Sequence, residues 1–74
     1  MIEEIRRSVH EAAGSNQKIA MFHYQVLVNA EALRNEDPEG FCEELAVPRS
    51  YAAEFRKMLG LSRLMAEQGA SLQR

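Results

Sequence analysis

Cysteine occurs once in the 74 residues, at Cys42. A single thiol excludes an internal disulfide and any zinc site built from several cysteines, and it suits a reducing, cytoplasmic setting. No apolar run approaches the roughly 20 residues of a membrane-spanning helix. The N-terminus, MIEEIRRSVHEAAGS, places acids before its arginines and lacks the apolar stretch of a secretory signal, so a soluble protein without a membrane partner is expected. An excess of one charge is missing too: a net charge of -2 supplies neither a general attraction to nucleic acid nor the surface of a polyanion mimic. There is no phosphate-binding glycine loop, no paired-carboxylate spacing and no metal-loop spacing, hence no metal or cofactor is expected. Helical domains of this size seldom enclose a catalytic pocket, which argues against an enzyme. His10 and His23 stand thirteen residues apart with no carboxylate motif around them and read as structural. Cys42, beside Glu43 and Glu44, lacks the positive neighbours that make a reactive thiolate and reads as a small buried residue.

What is present is an ordinary folding mixture, 46% hydrophobic and 27% charged, enough for one domain spanning 1–74. So short a chain buries barely enough apolar surface to offset its conformational entropy, and a second copy would help. Sustained period-2 alternation is absent, so the class is all-α, a compact domain of four to five helices. Ile2, Ile5, Val9 and Ala12 recur at three- and four-residue steps and predict a first helix ending near Gly14, with Gly14 in the left-handed conformation. Ser15 or Asn16 then opens a second helix from about Gln17 to Arg34, whose stripe Ile19, Phe22, Val26, Ala30 and Leu33 faces the core. Met21, Tyr24, Leu27 and Val28 widen that apolar arc, so this helix is buried on more than one side. Asp37-Pro38-Glu39 is a clear helix start, with a capping carboxylate, proline where a missing N–H costs nothing, and an acid in the first turn. That third helix ends at about Leu45. A fourth begins near Pro48 or Arg49 and reaches Glu67 unless Gly60 splits it, and residues 69–74 form a frayed tail.

The stretch 41-FCEELAVPRSYAAEF-55 carries the functional signal. Two short helices joined by a brief turn at a steep angle need apolar ends on the first helix, a small residue at the crossing, a small residue in the turn and an apolar plug after it. Phe41 and Leu45, Cys42, Ala46 and Val47 meet those demands in order, and Ala52 and Phe55 supply the inward face of the second helix. Over residues 38–57 the chain resembles the helix-turn-helix of small bacterial and phage transcription regulators, with the first two helices as supports. It departs from that family at Ala46, where glycine is usual, and in the acids Glu36, Asp37, Glu39, Glu43 and Glu44 on or before the first helix of the motif. Residues 46–74 compensate, with five cationic side chains against two acids.

The resemblance implies a homodimer binding duplex DNA, with the second helix of each copy in a major groove and half-sites about 34–36 Å apart. It implies base-reading roles for Arg49, Ser50, Tyr51 and Glu54, and phosphate contacts from Arg56, Lys57 and Arg63. The plainer reading of the same positions is a solvated helix start with Tyr51 packed on the core. The rival function is a small helical protein-interaction module, an anti-repressor, adaptor or antitoxin-like partner, favoured by the acids of 36–44 and the wide apolar arc of the second helix.

Overall fold

A computed structural model describes residues 1–69. They form α1 (Ile2–Ala12), a 3-10 turn (Ala13–Ser15), α2 (Lys18–Val28), α3 (Ala30–Leu33), α4 (Pro38–Leu45) and α5 (Tyr51–Glu67). No strand occurs among the described residues. The tail expected to fray lies outside them apart from Gly69, which sits beyond the end of α5 with φ 80°.

α1 packs on α2 and α4, and α5 packs on the same two helices from the other side; α3 lies against α2 and α5. Their inward faces converge on Ile5, Val9, Phe22, Val26, Leu33, Phe41, Leu45 and Phe55. At the centre Phe22, Phe41 and Phe55 are fully buried, with ring centroids 6.1 Å apart for Phe22 and Phe41 and 4.9 Å for Phe41 and Phe55. Such aromatic contacts link α2, α4 and α5 through one shared apolar centre. His10 of α1 adds a polar tie. Its Nε2 donates to the Leu45 carbonyl at 2.8 Å, satisfying an oxygen that the end of α4 leaves free.

Several local expectations are corrected. The left-handed residue after α1 is Asn16 (φ 60°), not Gly14, because the chain first tightens into the 3-10 turn before reversing. Ser15 closes α1 rather than opening α2, since its hydroxyl donates to the Ala12 carbonyl, and Gln17 precedes α2 without a side-chain cap. The helix expected from Gln17 to Arg34 bends at Asn29 (φ -112°, ψ 16°). Asn29 is buried, and its amide donates to the Gln25 carbonyl four residues back at 2.8 Å, a side-chain bond that competes with helical bonding. Ile19, placed on the core stripe by periodicity, is 38% exposed because it lies near the start of α2.

The start of α4 agrees with its sequence signal: Asp37 accepts from the Gly40 N–H at 2.8 Å, with Pro38 at the first helical position. The turn after α4 is longer than a helix beginning near Pro48 or Arg49 would leave. Five residues, 46–50, separate the two α-helices, and the last of them already curl into α5, with the Tyr51 N–H bonded to the Pro48 carbonyl and that of Ala52 to Arg49. Ala46 adopts the left-handed conformation (φ 57°, ψ 43°) and closes α4. α5 runs unbroken through Gly60.

These two positions carry reciprocal errors of residue choice. An alanine in the left-handed region costs about 1–2 kcal/mol, against which glycine forfeits about 0.4–1 kcal/mol in the unfolded chain. Gly60 sits mid-helix with nothing within 4 Å of an added Cβ. Ala46→Gly and Gly60→Ala are each expected to stabilise the domain by about 0.5–1 kcal/mol, read as an upward shift of the urea midpoint at constant slope.

Candidate nucleic-acid interface

The α4–turn–α5 unit is held by the residues the motif demands. Cys42 (1% exposed) lies where the helices approach, Val47 is buried within the turn, and Ala52 and Phe55 face inward from α5. Burial pushes the Cys42 thiol up, opposed by the Arg56 charge nearby, and the sulfur packs in the core.

The expected site residues separate into two groups on α5 and the turn that leads into it. Arg49, Arg56 and Arg63 recur at intervals of seven, two helical turns, which sets Arg56 and Arg63 about 10 Å apart on one side of the helix. All three are exposed, and among the described residues none has an ion-pair partner. Arg49 precedes the first turn and continues the row. It lines a shallow groove of about 160 Å³ with Glu39, Cys42, Glu43 and Val47, so the arginine row runs along the α4 side of α5. The seven-residue spacing is visible in the sequence once α5 is known to be one helix, and local charge counting passes over it.

The other group faces α2. Tyr51 is half-buried, with its ring against Phe22 (centroids 5.0 Å, edge to face) and the Lys18 ammonium 5.9 Å from its centre. Glu54 is engaged twice within the fold: Nε2 of His23 donates to it at 2.8 Å, and the Lys57 ammonium lies 3.1 Å away. The hydrogen bond from His23, then that from Lys57, holds the Glu54 carboxyl below its ordinary range. Ser50 is exposed at the start of α5 and makes no capping bond. Thus Arg49, Ser50, Arg56 and Arg63 stand free, Tyr51 and Glu54 belong to the contact between α2 and α5, and exposed Lys57 is bonded to Glu54 within α5. Sequence reasoning missed His23 as the partner of Glu54, because a separation of 31 positions leaves no local signal.

A family model described as an HTH-like domain matches residues 1–68. The chain belongs to that HTH-like family. The match spans all five helices, so α1 and α2 are integral to the HTH-like domain and not only supports for 38–57. Membership suggests a module of the DNA-binding type. No curated protein and no solved structure matches the chain.

The Glu54 contacts give a pH prediction. A carboxyl whose pKa is depressed by folding contributes stability that is present above its unfolded pKa and lost as pH falls through the folded one. Glu54→Gln is therefore expected to lower the thermal midpoint at neutral pH. Its deficit against the parent should shrink on acidification through the carboxylate range, as measured by circular dichroism melts.

Proposed function

We propose that this HTH-like domain is a sequence-specific duplex-DNA-binding transcriptional regulator that acts as a homodimer, with the start of α5 entering the major groove. The observation that carries the reading is the row Arg49, Arg56 and Arg63, exposed and without ion-pair partners on the side of α5 next to α4. Arg49 and Ser50, at the entry to the helix, are the base readers, since side chains in the first turn of a recognition helix reach base edges and arginine binds guanine bidentately. Arg56 and Arg63 contact phosphates and fix register. Tyr51 has its ring committed to Phe22 and offers its hydroxyl to a phosphate. Glu54 acts chiefly by orienting α5 against His23, and Lys57 is paired with Glu54.

The test is selection from randomised duplexes at moderate salt. Recovery of a shared inverted repeat with half-sites one helical turn apart supports the reading; recovery no better than bare resin rejects it. A second reading, a protein-interaction module that does not bind DNA, is favoured by the exposed acids Glu36, Asp37, Glu39, Glu43 and Glu44 around α4. Salt separates the two. A DNA complex using several phosphates weakens steeply as salt rises, whereas an apolar protein interface responds little.

A further inference from the structure

The distal half of α5 carries an apolar face that the fold leaves open. Leu61 and Leu64 are 39% and 50% exposed, Met65 beside them is half-buried, and Lys57 and Gln68 continue the same side at steps of four, three and four residues. That spacing is the seam of a two-helix pair, with Leu61 and Leu64 at its centre. Ser62, turned away from that row, lines an open groove of about 310 Å³ whose other walls are Leu27, Val28 and the following residues up to Ala32.

We infer that this face binds a second copy of the same chain, with the two α5 helices antiparallel about a twofold axis near Ser62. Charge selects that occupant. Lys57 and Glu67 lie five residues to either side of Ser62. In an antiparallel pair centred there each Lys57 stands across from the partner's Glu67, so the face is complementary to itself, as a twofold interface requires. Dimensions agree. From Tyr51 to the midpoint of Leu61 and Leu64 is about 17 Å at 1.5 Å per residue, which sets the two helix starts about 35 Å apart, close to the one-turn spacing of DNA half-sites. This second argument rests on the DNA-reading proposal, whereas the charge argument does not. A standard interface needs about 800 Å² from each copy, roughly one sixth of the 4827 Å² surface, so the contact extends beyond the α5 seam itself.

The experiment is sedimentation equilibrium of the full chain from micromolar to millimolar concentration, beside Leu64→Glu. The parent is expected to dimerise. Leu64→Glu, which buries two unpaired charges at the seam, should raise the dissociation constant on the order of 100-fold or more while keeping the helical spectrum. Because that variant could fail to fold, mixed Leu61→Cys and Leu64→Cys chains are oxidised in parallel. The antiparallel seam predicts a crosslinked dimer in the mixture and little in either chain alone, with buried Cys42 silent. A parent that stays monomeric, a folded Leu64→Glu that still dimerises, or no preferential crosslink in the mixture overturns the seam. Selection of DNA by the parent is scored separately: a dimer that selects no DNA sinks the regulator reading and leaves the seam standing.

Discussion

Phe55→Ala is expected to leave the chain without a cooperative fold at 25 °C. The side chain is fully buried, faces inward from the first half of α5 and packs on Phe41 of α4 at 4.9 Å between centroids. Truncating a buried phenylalanine costs about 3–5 kcal/mol, from lost transfer energy and from the cavity left behind. A core of this size rarely supplies more than about 3–5 kcal/mol in total. Nothing in the circuit of α1, α2, α4 and α5 relieves the loss, because the ring sits where the helices converge and no neighbour closes the gap without moving a helix. Circular dichroism under urea is the check. The parent should show a sigmoidal transition, and Phe55→Ala a low signal with no transition. A variant midpoint near that of the parent would mean that the three phenylalanines do not form the centre of the fold. The same substitution at exposed Lys57 has no such consequence, which makes the contrast informative.

Arg49→Ala is expected to erase discrimination at one base pair in each half-site. A bidentate arginine–guanine contact contributes about 1–3 kcal/mol of preference, so affinity for the selected site should fall about 5- to 150-fold for each half-site while binding to unrelated duplexes falls far less. Arg56→Ala and Arg63→Ala should behave differently. Each removes a phosphate contact, weakens all sequences alike and reduces the slope of log affinity against log salt by about 0.9 per site contacted. Lys57→Ala, whose ammonium is paired with Glu54 at 3.1 Å, should alter that slope least of the three. Titrations of the selected and a scrambled duplex at several salt concentrations separate these outcomes. If Arg49→Ala lost affinity uniformly and Lys57→Ala changed the slope most, the reading row would lie on the α2 side of α5 instead.

Much of the architecture was legible because its signals are local. The Asp37–Pro38 start needed only a capping carboxylate and a proline at adjacent positions, and it appears as a 2.8 Å bond to the Gly40 N–H. The apolar spacing of Phe41, Leu45, Val47, Ala52 and Phe55 likewise specified which sides of α4 and α5 are buried. Chain reversals were less legible. Gly14 and Asn16 are two residues apart and both accept a left-handed backbone, so the choice depended on how α1 leaves the core. Asn29 bends α2 through a side-chain bond to its own preceding turn, which competes with helical bonding only where the side chain is kept from water.

By itself the sequence determined an all-helical chain, the capped start of α4, the break near Ala46 and the apolar sides that must meet, because helical period, capping chemistry and proline geometry act between residues a few positions apart. Only the tertiary structure decided which of the α5 charges are free. Periodicity cannot tell that His23 reaches Glu54 across thirty-one residues, that Lys57 joins that pair, or that Tyr51 lies on Phe22. Those contacts arise from the packing of α2 against α5, and by engaging one side of the helix they leave Arg49, Arg56 and Arg63 available on the other.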